Sequence, residues 1–346
     1  MRIYFCGMRI GPCLILFLAL FFTMRSPRRE LPAPVLHLTA QRVSTGMGQE
    51  GNAAGDPIWT APDTALIPPT PEGRLIRYGR SLIASTAVYL GPAGRLARIS
   101  NGMSCQNCHL QAGSKSWGNN FGAVYSMYPR FRERRGAVET IVQRVNDCFE
   151  RSLNGKALDS ASPEMRAMIA YMKWLGKDLP KGCKPAGSGI RQLKFMSRAA
   201  DPLKGSSIYI KKCMSCHGGN GEGKKDPAGI IYQYPPLWGM HSYNTAAGLY
   251  RLSRFAGYVM DNMPFGASHQ NPGLSEEEAW DIAAFVNSRP RPQKSFRQDW
   301  PNRALKPADH PFGPFMDPFS EAQHKYGPYD QILAWKKRMT ASGLRH

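Results

Sequence analysis

The sequence predicts a mainly α chain in which two small helical domains stand in tandem and a long extended tail follows them. Three observations predict it. The frame Cys-x-x-Cys-His occurs twice, as Cys105-Gln-Asn-Cys108-His109 and Cys213-Met-Ser-Cys216-His217, 108 residues apart. The same order of elements surrounds each frame, an amphipathic segment before it and a helical segment after it, which marks an internal duplication. Beyond Pro290 the periodicity stops, and the chain runs to His346 dense in Pro, Gly and aromatic residues.

The chain has 346 residues, 42% of them hydrophobic and 20% charged, enough to bury substantial cores and to exclude wholesale disorder. Its only long apolar run lies at the N-terminus, which excludes a polytopic membrane protein. Residues 1–29 carry Arg2 and Arg9, an apolar stretch over 10–24, then Arg25, Arg28 and Arg29, the pattern of an export signal. The run is short for a spanning helix, yet no small-x-small cleavage site follows it, so a cleaved signal peptide and a retained membrane anchor both fit. Cys6 and Cys13 are read as passive members of this segment. The expected location is the periplasm.

An N-terminal extension over 30–69 follows. The first domain spans 70–180. Leu75, Tyr78, Leu82 and Ile83 form an apolar stripe ahead of Cys105, and residues 162–175 close the domain with a Ser cap, an acidic first turn and helical periodicity. A Gly-, Lys-, Pro- and Ser-rich linker is expected over 181–201. The second domain, 202–290, repeats the plan, with 205–212 before Cys213 and a closing helix over 275–286. Each copy also has a Tyr-Pro step after its frame, Tyr128-Pro129 and Tyr234-Pro235. The tail, 291–346, is expected to wrap over both domains, with a short helix near 332–339.

Two thiols three positions apart can add across the two vinyl groups of a haem, and a His directly after the second Cys is aimed at the iron. Zinc pairs normally fall within about 12–20 residues of one another, and redox dithiols need a βαβ context that is missing here. Two covalently attached haem c groups are therefore expected, on Cys105, Cys108 and His109 and on Cys213, Cys216 and His217. A helix, such a frame, ligand-bearing loops and a closing helix describe a class I cytochrome c domain.

The second domain offers a distal ligand in Asn262-Met263-Pro264, with Met260 as the nearest rival. The first has no Met-Pro step and places Cys148 at the corresponding point. Residues 137–153 read as a helix with Ile141, Val145, Phe149 and Leu153 on one stripe and Arg144, Cys148, Arg151 and Ser152 on its neighbour. Two readings of Cys148 stand at this point. It is an iron ligand beside a guanidinium, or it is disulfide-bonded to Cys183, leaving Met127 as substitute ligand. Arg144 and Arg151 read equally well as a solvated face.

The formal charge is +20, and +15 remains without residues 1–29. Nucleic acid is not the expected partner of an exported chain whose basic residues are scattered. An anionic substrate, an acidic redox partner or an anionic membrane surface suits the charge better.

The sequence resembles the dihaem c-type thiosulfate dehydrogenase and tetrathionate reductase family. The resemblance lies in Asn101-Gly-Met-Ser-Cys-Gln-Asn-Cys-His-Leu110, Tyr128-Pro-Arg-Phe-Arg-Glu-Arg-Arg-Gly136, Arg144-Val-Asn-Asp-Cys-Phe-Glu-Arg-Ser-Leu-Asn-Gly155 and Phe319-Ser-Glu-Ala-Gln-His-Lys-Tyr-Gly327. It implies an enzyme of sulfur metabolism that interconverts thiosulfate and tetrathionate at a first haem ligated by His109 and Cys148, while a second, on His217 and Met263, relays electrons to a periplasmic protein such as a small cytochrome c. It places substrate-positioning roles on Arg134, Arg144 and Ser152. Some relatives carry a Lys before the distal Met; Asn262 stands there in this chain. The competing expectation is a dihaem electron carrier without substrate chemistry, basic because it docks on acidic partners.

Overall fold

The computed structural model describes residues 58–342. The export segment, most of the expected N-terminal extension, Cys6 and Cys13 lie outside the described residues. Among the described residues no helix is long and apolar enough to cross a membrane.

The architecture is mainly helical and built twice. In the first copy an opening helix, Pro71–Ala84, starts at a Thr70 cap whose hydroxyl accepts from the Gly73 N–H, with Pro at the first position. Its apolar stripe lies against the closing helix, Pro163–Leu175, which is capped by Ser162. The second copy pairs Pro202–Lys212, capped by Asp201, with Glu276–Ser288, where Ser275 and Glu278 form a reciprocal capping box. One residue type makes both crossings possible. A Cβ on Gly79 would sit 2.0 Å from the Ala167 carbonyl oxygen, and one on Gly205 would sit 1.9 Å from that of Asp281. The helices touch backbone to backbone at matching places, which is the duplication expressed in packing.

Residues between frame and closing helix differ in the two copies. In the first, a two-stranded hairpin pairs Arg130–Arg132 with Ala137–Glu139 and presents Arg134 at its turn. The helix expected to start at 137 instead begins at Ile141 and runs to Arg151. Thr140 forms a capping box with Gln143, so the preceding residues are released to pair as a strand. In the second copy the corresponding helix is Leu252–Asn262.

The two copies are joined by side-chain amides. Asn101 Nδ2 donates to the carbonyls of His241 and Ser242, Asn107 Nδ2 to Tyr232, Asn262 Nδ2 to Trp117, and Asn244 Nδ2 to Glu150. The stretch 181–201, expected as a linker, is tied to both domains by specific bonds. The Trp117 and Asn119 N–H groups donate to Gly187 and Gly189, and Arg191 pairs with the buried Asp261. Residues from Ile58 onward pack on the first domain too, since Trp59 is buried and its carbonyl accepts from the Ser116 hydroxyl at 2.6 Å.

The tail lies across both copies. The helix expected near 332–339 occupies Asp330–Ala341, and a further one, Glu321–Tyr326, precedes it. Ile332 is fully buried, and Tyr329 packs on Phe195 and Trp280. Asp309 anchors the middle, accepting from Arg251 Nε at 2.9 Å and from the Ser253 hydroxyl at 2.5 Å. Burial opposes the charge on Asp309, but Arg251 and Ser253 outweigh it and hold the carboxyl below its ordinary 3.8. A carboxyl whose native pKa is lowered stabilises the fold fully above its unfolded value, and that stabilisation is lost as pH falls through the native one.

Two outcomes follow from this packing. Gly205→Val should destabilise the chain by about 3 kcal/mol in denaturant unfolding, because the helix pair must separate to admit the side chain. In wild type, acid should release the tail below about pH 4, seen as a change in tryptophan fluorescence, and Asp309→Asn should already show the released signal at neutral pH.

Candidate active site

The second frame forms a short helix, Met214–His217, directly after the opening helix of its domain. The His217 ring is buried, and Nδ1 donates to the Pro235 carbonyl at 2.8 Å, which leaves Nε2 free as a metal ligand. Burial lowers the His217 pKa, so the ring is neutral, the form that binds iron. His217, Cys213, Cys216 and Met263 all line one cavity of about 1010 Å³, whose remaining walls include Leu237, Phe255, Val259 and Leu274. Met263 is delivered there by its place directly after the helix Leu252–Asn262. Met260 does not line this cavity; its sulfur lies 3.8 Å from Arg191 Nη1. Two thiols, a neutral imidazole and a thioether around an apolar space of this size fit a covalently held haem. The same cavity extends to Met103, Asn107 and Cys108 of the first domain, so the two frames share a wall.

At the first frame, Cys105–Asn107 forms a 3-10 turn, with the Asn107 carboxamide accepting from the Ser104 N–H. The buried Thr86 hydroxyl lies 3.2 Å from the Cys105 sulfur and accepts from the Cys105 N–H. His109 Nδ1 donates to the Asn119 carbonyl at 2.5 Å, and Phe121 stacks on the ring at a centroid distance of 4.3 Å. Asn119 has a φ of 57°, left-handed backbone that Asn tolerates better than most residues. The two Tyr-Pro steps, which the sequence suggested were equivalent, are not: Pro235 serves His217, whereas Asn119, only ten residues beyond His109, does the same for the first ring.

The helix Ile141–Arg151 brings Cys148 to this frame. Val145, Phe149 and Leu153 are buried beneath it, as the periodicity predicts, which turns the neighbouring stripe toward the site. Cys148 is a free thiol, so it does not pair with Cys183. Arg144 Nη1 lies 3.1 Å from the Cys148 sulfur. Burial pushes the Cys105 and Cys108 thiols up to about 12, with Cys148 adding to both shifts. Burial likewise lowers His109 to about 4, with Arg144 contributing. Arg144 is itself held above the ordinary guanidinium value, chiefly by Cys148. These mutual influences are those expected of a frame, a free thiol and one guanidinium lying close together.

Arg134 and Ser152 are held by contacts of their own. The Arg134 guanidinium is ion-paired to Asp147, and Ser152 caps the helix, its N–H donating to the Cys148 carbonyl. Arg151, read as a solvated residue or a neighbour of the thiol, is neither. It is buried, grips both Asp299 oxygens at 2.6 and 2.8 Å, approaches Asp147 at 3.4 Å and stacks on Phe296 at 3.8 Å. The Trp300 N–H then donates to the Arg134 carbonyl at 2.7 Å. Burial opposes the charge on Asp147, yet Arg134, Arg151 and Arg144 outweigh it and keep its pKa low. Asp299, Trp300, Thr86 and Asn119 were not read from the sequence. Only the Asp147–Arg151 spacing of four carried a local signal.

Residues 96–180 match the family described as SoxA/TsdA, cytochrome c domain, and residues 203–290 match the family described as Cytochrome c. The chain is 37% identical over 265 residues to a thiosulfate dehydrogenase of Psychrobacter arcticus, covering 76% of this chain and 78% of that one. The chain belongs to the thiosulfate dehydrogenase family. Another thiosulfate dehydrogenase, from Allochromatium vinosum, is 40% identical over 237 residues, covering 67% of this chain and 84% of the relative. The solved thiosulfate dehydrogenase (TsdBA) from Marichromatium purpuratum in its "as isolated" form superposes with a TM-score of 0.63 at 27% identity, over 78% of this chain. This chain spans 54% of the length of that one. As the two cytochrome c domains imply, this member of the family carries two covalently bound haem c groups.

Asp299→Asn should cost about 3 kcal/mol in denaturant unfolding, because a buried guanidinium loses one of its two acids. Asp299→Glu should recover part of it.

Proposed function

We propose that the chain interconverts thiosulfate and tetrathionate in the periplasm. In this reading His109 and Cys148 are the axial ligands of the first haem, and His217 and Met263 those of the second. The observation that carries it is the free Cys148 thiol 3.1 Å from Arg144 and beside the first frame. A pure electron carrier has no use for a buried cation against a reactive sulfur.

Joining two thiosulfate dianions brings like charges together. Arg144 offsets that repulsion at the sulfur where they meet, and its fork suits an oxyanion. The haem groups, when bound, supply an acceptor for one electron each. Cys148 as thiolate joins the outer sulfur of a first thiosulfate, and two electrons leave; the product is a cysteinyl thiosulfonate bearing one negative charge. The outer sulfur of a second thiosulfate attacks the sulfane sulfur bonded to Cys148, the bond between that sulfur and Cys148 breaks, tetrathionate departs, and the Cys148 thiolate returns. Arg144 holds the thiolate charge at both ends of the cycle. Arg134 orients through its hold on Asp147, one residue from Cys148, and Ser152 through the helix end that carries the thiol.

Electrons leave at the second frame, where Ile210, Met214 and Phe265 are exposed beside Lys211 and Lys212. That surface suits an acidic periplasmic redox protein such as a small cytochrome c. The basic and apolar pattern of residues 1–29 supports export.

Cys148→Ala should retain two haems and lose turnover in both directions, thiosulfate-dependent reduction of ferricyanide and tetrathionate-dependent oxidation of a reduced dye. Full activity in that variant would overturn the reading. Arg144→Gln should lower kcat/KM for thiosulfate about 100-fold while haem content stays at two, because one oxyanion donor is removed.

A further inference from the structure

The tail encloses a second cavity, of about 460 Å³, against both domains. Its walls hold an excess of positive charge. Arg134 and Arg251 are neutralised by Asp147 and Asp309, and Asp299, the acid on this wall, is taken up by Arg151. Lys294, Arg297, Arg303 and Lys306 have no acidic partner within ion-pair distance among the described residues. Lys306 is 7% exposed, and its ammonium donates only to the carbonyls of Phe312 and Pro314, at 2.7 and 3.2 Å. Lys294 likewise donates only to the carbonyls of Glu150 and Gly155. Carbonyls satisfy hydrogen bonds but leave the charge standing, and a buried ammonium without a counter-ion is costly. Burial and the neighbouring Arg303 lower the Lys306 pKa and outweigh Glu321 and Asp299, which act the other way from beyond ion-pair distance. Arg297 and Arg303 stand exposed at the rim. A buried cation, two exposed guanidinium forks and a volume far larger than a single ion make a receptor for a multi-atom anion.

We propose that this cavity is an anion-binding site, separate from Cys148, that takes a sulfur oxyanion dianion of thiosulfate's size. The choice of sulfur oxyanion rests on the function proposed above; the site itself rests on the charge count. Its position gives it a use: one wall is Arg134, bonded to the residue preceding Cys148, and another is the strap Phe296–Trp300 that clamps the same helix. Substrate held here is concentrated beside the reacting helix without occupying the thiol.

The test is calorimetric titration of the haem-loaded protein with sulfate, a dianion that cannot react, at fixed ionic strength. Wild type and Cys148→Ala should bind it equally. Lys306→Gln should weaken binding about tenfold, and the exposed pair Arg297→Gln with Arg303→Gln about threefold, because charge-assisted bonds are lost in each. The rim pair keeps the test decisive if the buried substitution unfolds the tail. Thiosulfate, titrated into Cys148→Ala, should compete with sulfate for the same site. Sulfate affinity unchanged in both sets of variants, or no sulfate binding in wild type, overturns the proposal. Turnover measured on the same wild-type preparation separates the two readings: activity without cavity binding leaves the enzyme and removes the site, and cavity binding without activity does the reverse.

Discussion

Arg151 is the charge around which the first domain and the tail are organised. It lies in the last turn of the helix that carries Cys148, is almost wholly buried, and meets acids from its own helix and from the tail. A guanidinium taken out of water needs such company, because its desolvation is repaid only by partners of good geometry. With Asp299 and Phe296 in place, the helix end, the Arg134 turn and the tail strap become one unit. Without them, the positively charged side of this helix would repel itself, since Arg134, Arg144 and Arg151 all lie near Asp147.

Much of this was legible because it is local. The Cys-x-x-Cys-His frames, the Ser caps of the closing helices, and the Val145, Phe149, Leu153 stripe each state their structure within a few residues, and the stripe was enough to turn Cys148 toward the frame. Chemistry set by distant chain was not legible. Arg134 and Arg144 look alike in sequence, but the hairpin Arg130–Arg132 with Ala137–Glu139 turns the first toward Asp147 while the helix keeps the second on the thiol. Arg151 could not be told from a solvated residue, because its partner is 148 positions further on. The stretch 181–201 has the composition of a linker, yet its backbone carbonyls are consumed by the Trp117–Asn119 loop, a use that composition does not reveal.

The two copies show which parts of the plan tolerate change. Both retain a glycine crossing between opening and closing helix, and both aim a His ring by a bond from Nδ1 to a backbone carbonyl. The carbonyl itself has moved, from Asn119 in one to Pro235 in the other, and the distal candidate has changed from a thiol to a thioether. What is kept is the orientation of the imidazole. The distal side is free to diverge because it is supplied by a different stretch of helix in each copy, so one fold can host substrate chemistry at one centre and electron relay at the other.

The tail clamp also gives the molecule an order of assembly. Asp299 follows Arg151 by 148 positions, so the helix bearing Cys148 exists as a polymer long before this counter-charge does. A chain cut short anywhere between the second domain and the strap would still hold both frames but would lack one of the two acids that neutralise Arg151. Arrival of the strap is thus written into the electrostatics of the reacting helix, and a fragment with both haem frames but no strap would differ from the full sequence in the charge balance around its sulfur.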